Sequence, residues 1–108
     1  RTAADELLDQ ARTLSSGRSA RTLTPGAGAV QKSSLLAITA GETLDEHVAP
    51  GPTTLYGVRG RCTVTDHEGS VTLMEGSWMV CPTHEHTVEA ETDTVLLLTV
   101  TAAEDSTE

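Results

Sequence analysis

Four histidines, His47, His67, His84 and His86, are the side chains in this chain best suited to proton transfer or metal binding. His84 and His86 are two positions apart, so on an extended segment both project to the same face. Two imidazoles on one face make half a metal centre. A catalytic zinc or non-haem iron commonly takes three protein ligands and keeps one position open. His47 is the candidate third ligand, far earlier in the chain, if the fold carries its loop over the other two. His67, within His67-Glu68-Gly69, reads instead as a solvated turn residue. Even without metal, neutral imidazoles in an apolar cavity supply paired donors and acceptors whose protonation changes near neutral pH. That suits a ligand pocket, or acid–base work if a substrate is present. Cys62 and Cys81 fall within apolar strand patterns and are expected to be buried reduced thiols rather than a disulfide framework. The chain has no Ser–His–Asp signature, no phosphate-cradling glycine loop and no aromatic stacking platform on a basic surface.

The surroundings of these groups narrow the partners. Seven Lys plus Arg against sixteen Asp plus Glu leave a formal net charge of −9, which repels phosphate backbones and anionic membranes. Neither nucleic acid nor a membrane surface is therefore expected as a partner. The longest apolar run, "VLLLTV" at 95–100, is too short to span a bilayer, and no basic-then-apolar leader precedes the domain. A cytoplasmic protein is the expectation. With no Phe, one Trp and one Tyr, the core must come mainly from Val, Leu, Ile, Ala and Met. At 108 residues this is one domain.

The elements that must position the histidines are mostly strands. Residues 1–17, "RTAADELLDQARTLSSG", predict one short helix, with Thr2 and Asp5 spaced as a capping box. Ala4, Leu7, Leu8, Ala11 and Leu14 recur at helical spacing, and Gly17 is a suitable stop. A helix this short needs a sheet to lie on, either its own or a partner's. After "TPGAGA" at 24–29 the pattern turns to short strands separated by glycine-containing turns, giving a barrel over 30–102 and an acidic tail over 103–108. Seven or eight strands with no second helix argue an all-β antiparallel barrel or sandwich. Alternation sends Thr53, Leu55 and Gly57 inward and Tyr56 and Val58 outward. Gly57 removes a side chain from the lumen, which leaves room for a ligand or eases curvature. Trp78 and Met79 straddle a strand, so one lines the core and the other an outer face or dimer contact.

Residues 41–100 resemble a single-domain cupin, a small RmlC-like jelly-roll β-barrel. The first cupin motif, G-x5-H-x-H-x3-E-x6-G, is matched by Gly41, "ETLDE", His47 and finally Gly60. The second, G-x5-P-x-G-x2-H-x3-N, is matched by Gly76, "SWMVC" and Pro82, with His86 one residue early. "SSGRSARTL", "EHVAPG" and "CPTHEHTVEA" are further similar to segments of a subgroup of small bacterial cupins, so the resemblance covers nearly the whole chain as a single domain, 1–108. It implies a homodimer and a metal held by two His and a Glu from the first motif and a His from the second. Carried over position by position, only His47 and His86 survive. Ala49 and Thr53 stand where the second histidine and the glutamate belong, and the terminal Asn is missing.

Three functions follow as expectations. The first is a metal-poor cupin that binds a small neutral or cationic molecule as a sensor, carrier or accessory protein. Its pocket would be lined by His47, Thr53, Leu55, Gly57, His84 and His86, with no cofactor required. The second is an oxygenase or isomerase with a divalent Fe, Mn, Ni or Zn held by His47, His84 and His86. The third is a structural or regulatory interaction module whose lumen is closed by side chains. The fold alone does not choose among them.

Overall fold

The computed structural model describes residues 2–23, 31–47, 52–81 and 85–101, the side chains of 45–47 excepted. One helix, α1 (Ala3–Thr13), precedes nine strands: β1 (Arg18–Thr22), β2 (Gln31–Ile38), β3 (Thr43–His47), β4 (Thr53–Arg59), β5 (Arg61–Asp66), β6 (Gly69–Met74), β7 (Trp78–Val80), β8 (His86–Ala90) and β9 (Thr94–Thr101). The strands form two antiparallel sheets, one ordered β1-β2-β9-β4-β7 and the other β3-β8-β5-β6. This is the jelly-roll arrangement expected from the strand pattern, with one addition. The sequence places the start of the barrel near residue 30, whereas β1 lies earlier and pairs along β2 from Arg18↔Ile38 to Thr22↔Ser34. Its residues, "RSART", carry no apolar alternation, because this edge strand is held by its ladder and not by burial.

Helix α1 begins at a reciprocal cap: Thr2 Oγ1 accepts from the Asp5 N–H at 3.1 Å, and Asp5 Oδ2 accepts from the Thr2 N–H at 3.2 Å. Arg59 Nη1 on β4 donates to the other Asp5 oxygen. That bond, followed by the contacts to Thr2, holds the Asp5 carboxyl well below the usual carboxylate range. The helix lies on the outer face of its own sheet, where Ala4, Leu7, Leu8 and Ala11 pack against Leu35, Ala37 and Val95. Leu14 departs from the expected apolar face. The helix ends at Thr13, and Leu14 is extended at φ −96°, ψ 143°, which takes it off the helical spacing and leaves it 50% exposed.

Between the sheets lies the main core, built from Ile38, Leu55, Cys62, Val64, Leu73, Cys81, Val88, Ala90 and Leu96. The alternation read along β4 holds: Thr53, Leu55 and Gly57 are buried, while Tyr56 is exposed and Val58 packs beneath the helix. Met79 packs on the core and Trp78 faces outward. Aliphatic side chains and two thiols thus pack between the sheets. Because Leu7 is fully buried at the helix–sheet contact, Leu7→Ala should lower unfolding stability by about 2–5 kcal/mol. Leu14→Ala should change it by less than about 0.5 kcal/mol, both read from denaturant titration.

Candidate functional site

One end of the barrel collects most of the polar chemistry. There β8 begins at His86, β3 ends at His47, and β4 begins at Thr53. His47 is the register partner of His86 in the β3–β8 ladder, after an irregularity that separates it from the Leu44↔Val88 pair. The structure therefore sets these two backbone positions opposite each other across the ladder. His84 lies outside the described residues, as does Ala49.

The side chain of His86 is buried, at 1% exposure. Its Nε2 lies 3.1 Å from Sγ of Cys81. Cys81 follows β7, which belongs to the helix-bearing sheet, whereas His86 opens β8 in the other, so this contact closes the barrel end from both sides. The Cys81 N–H donates to the Thr53 carbonyl at 2.9 Å, which continues the β4–β7 ladder and fixes the direction of the thiol. Burial pushes the Cys81 thiol up from 9.0 to about 11, so it is protonated at neutral pH. Which of the two atoms donates depends on the His86 tautomer. An activated cysteine nucleophile would need the opposite shift, toward thiolate. Cys62, buried among apolar neighbours and facing the Glu91 charge, is raised by burial to about 11 as well. Both thiols are free, as the sequence predicts.

The remaining expected pocket residues behave differently. Thr53 and Leu55 are buried against the core. Gly57 opens no space for a ligand. A Cβ there would run into the Met74 carbonyl, because β4 passes directly under the β6–β7 turn. Two hydrogen bonds lock this approach, Gly57 N–H to Ser77 O and Gly76 N–H to Gly57 O, both 2.8 Å. The glycine serves close backbone packing and not the lumen volume.

The sequence reading missed the cleft itself. A cavity of about 300 Å³ opens between the β5–β6 hairpin and β7, lined by Val64, Asp66, Glu68, Gly69, Ser70, Val71 and Met79. Two of its lining residues lie on or beside the strands that lead to Cys81 and His86. Met79 precedes Cys81 by two residues, and Val64 pairs with Val88, two residues after His86. Its floor is apolar and its rim carries two carboxylates, with Asp66 Oδ1 accepting from the Glu68 N–H at 2.8 Å. The apolar–acidic run from Val64 to Glu68 was the available signal, but turn residues alone do not reveal a cavity.

The fold superposes on solved structures. A protein of unknown function from Streptococcus pyogenes, SPY1581, superposes with a TM-score of 0.72 at 21% identity, over 84% of this chain and 79% of that one. A cupin superfamily protein from Desulfitobacterium hafniense gives a TM-score of 0.68 at 16% identity, over 79% of each chain. An RmlC-like cupin from Desulfovibrio desulfuricans gives 0.66 at 20% identity, over 78% of this chain and 81% of that one. The chain has the cupin fold. A salicylate 1,2-dioxygenase from Pseudaminobacter salicylatoxidans contains the same fold, with a TM-score of 0.77 at 18% identity, but this chain spans only 32% of its length. No protein-family model matches the sequence, and no curated protein matches it.

The donor set of a metal-loaded cupin does not fit these residues. Thr53 is a buried hydroxyl where that set calls for a carboxylate, and Nε2 of His86 is engaged by a thiol. Among the described residues no group of three or more His, Cys, Asp or Glu is placed to hold an ion. Also among them, no helix is long and apolar enough to cross a membrane.

The two raised thiols give a pH dependence with a defined sign. The folded protein keeps protons that the unfolded chain loses above pH 9.0, so this contribution is complete below pH 9 and is lost as pH rises toward about 11. Urea midpoints measured across that window should fall in the native protein. They should fall distinctly less in the Cys62→Ala/Cys81→Ala variant, and equal slopes would refute the assignment.

Proposed function

We propose that this cupin-fold protein binds a small neutral or cationic molecule at the barrel mouth, acting as a sensor, carrier or accessory protein. The cleft between the β5–β6 hairpin and β7 carries this reading. Val64, Val71 and Met79 supply apolar surface, while Asp66 and Glu68 at the rim favour a positive or hydrogen-bond-donating group. The packed core below supports binding at the mouth over binding deep between the sheets. The overall charge of −9 acts in the same direction, since it disfavours anionic ligands at long range. A cytoplasmic setting accords with the two free, buried thiols.

The oxygenase or isomerase reading, with a metal on His47, His84 and His86, is the runner-up. Its support is the likeness of fold to the salicylate dioxygenase, and fold does not transfer chemistry. Thr53 in place of a carboxylate ligand favours the binding reading.

A homodimer is part of this proposal. Tyr56, Trp78 and Val80 stand on the outer face of the helix-bearing sheet beyond the reach of α1, with Trp78 61% exposed and paired across the ladder with Tyr56. These residues are uncharged in an otherwise acidic protein, and the short edge strand β7 runs beside them. A second copy would cover both the patch and the edge without bringing like charges together.

Two measurements follow. In a thermal-shift screen of small amines and neutral polar molecules, a binder at 100 times its dissociation constant adds about 2.7 kcal/mol of stability. Asp66→Asn should abolish the shift for cationic ligands, and a shift that persists in Asp66→Asn and Glu68→Gln would place the ligand elsewhere. In sedimentation equilibrium the native chain should run as a dimer and Trp78→Glu as a folded monomer. A monomeric native chain would remove the dimer from the proposal.

A further inference from the structure

We propose that the open edge of β6 binds an extended, basic segment of a partner protein by strand addition. Two features of the β5–β6 hairpin carry this. The first is an apolar row that stops short. Leu44, Val88, Val64 and Val71 lie opposite one another across β3, β8, β5 and β6. Val88 and Val64 are 2% exposed, whereas Val71, at the end of the row, is 52% exposed. Leu73, two positions along the same face, is buried, so Val71 points inward. Among the described residues no further strand covers it. The space beside it is the cleft, whose opposite wall is Met79.

The second feature is the edge itself. The Glu75 N–H donates to the Gly60 carbonyl at 3.0 Å, which marks that pair as a hydrogen-bonded one. Such pairs alternate along an antiparallel ladder, so Leu73, Val71 and Gly69 also bond to β5. The N–H and C=O groups of Ser70 and Thr72 then turn away from β5, along an edge that no described strand occupies. Proteins guard such edges with charge, proline or shortness. β1 carries Arg18 and Arg21, β3 carries Asp45 and Glu46, and β7 has three residues. β6, "GSVTLM", has six residues with no charge and no proline. That leaves β6 unguarded.

Charge selects the occupant. Asp66 and Glu68 place two carboxylates at the hairpin end of the cleft, with His67 Nε2 3.7 Å from Glu68 Oε2. Arg61, at the other end of β5, is committed to Glu91 at 2.7 Å. A second copy paired through β6 about Thr72 would set each acidic hairpin tip against Glu75 of the other. The acidic tail over 103–108 meets the same repulsion. A basic segment does not. In an antiparallel addition, the residue opposite Gly69 comes two positions after the residue opposite Val71. The recognised pattern is therefore apolar-x-basic, read from the N-terminus. The apolar side chain closes the row at Val71. The basic one crosses Gly69, whose register partner is Asp66 and beside which an added Cβ would meet nothing within 4 Å. This goes beyond the small-molecule reading, because the backbone of β6 supplies the bonds that hold the segment.

The test uses the whole chain and a fluorophore-labelled, amidated peptide, threonine–valine–threonine–valine–threonine–lysine–threonine, read by fluorescence anisotropy. The peptide should bind saturably, one to one. Thr72→Pro removes an N–H that makes no bond to β5, so the hairpin ladder survives while peptide binding should weaken by at least about tenfold. Methylating the peptide's own amides leaves the protein unchanged, and decides the matter should that variant unfold. N-methylation at the third or fifth residue, whose amides face β6, should abolish binding, and at the fourth it should not. Replacing the lysine with glutamate should weaken binding by at least about tenfold. A small amine that raises the melting temperature should still do so in Thr72→Pro, which separates failure here from failure of the small-molecule reading. No saturable binding, or equal affinity for the peptides methylated at the third and fourth residues, would overturn the proposal. So would a dimer that Thr72→Pro dissociates, because a second copy then holds the edge.

Discussion

Strand β9 is paired on both edges and covered on both faces, and the rest of the molecule is arranged around that fact. Its ladder with β2 runs unbroken from Thr94↔Ile38 to Thr101↔Gln31, and its other edge carries β4. Val95 is buried beneath α1, and Leu97 packs with it against the same cluster. Leu96 and Leu98 face the core between the sheets. The stretch enclosed in this way, Val95 to Leu98, is apolar at every position, which is why it reads as a continuous hydrophobic run and not an alternating one. The exposed ion pairs, Arg12–Asp93, Arg59–Asp5 and Arg61–Glu91, tie neighbouring segments together. Such pairs contribute about 0–1 kcal/mol each, so burial around β9 carries the fold and the pairs trim its geometry.

This explains which features could be read from the sequence. Burial leaves a pattern: the apolar run of β9, the alternation of Thr53, Leu55 and Gly57, and the split between Trp78 and Met79 were all legible. Contacts made by the backbone leave none. Strand β1 has no apolar alternation because its ladder and polar bonds, such as Ser19 Oγ to the Leu7 carbonyl, hold it. Leu14 fits the helical spacing, but one residue past the last turn the backbone is extended and the spacing ceases to apply. Gly57 was legible as a special position but not as to its purpose, because the carbonyl that excludes a side chain belongs to Met74 on a different hairpin.

The site was half legible for the same reason. His47 and His86 could be paired by the motif resemblance, and the register sets them opposite. Cys81 could not be joined to His86 by alternation, although only five positions separate them. Periodicity describes one strand at a time, and these residues sit on different sheets with the corner between them. The cleft had still less signal, since it is the space between a hairpin and a neighbouring sheet edge.

A fully buried imidazole must have a partner, and the identity of that partner decides what the site can do. Among the described residues no buried side-chain nitrogen or oxygen is left without one. A carboxylate beside His86 would bring a charge into the barrel end and would need a cation to balance it. A thiol satisfies Nε2 while remaining neutral, so the core tolerates it with no ion present.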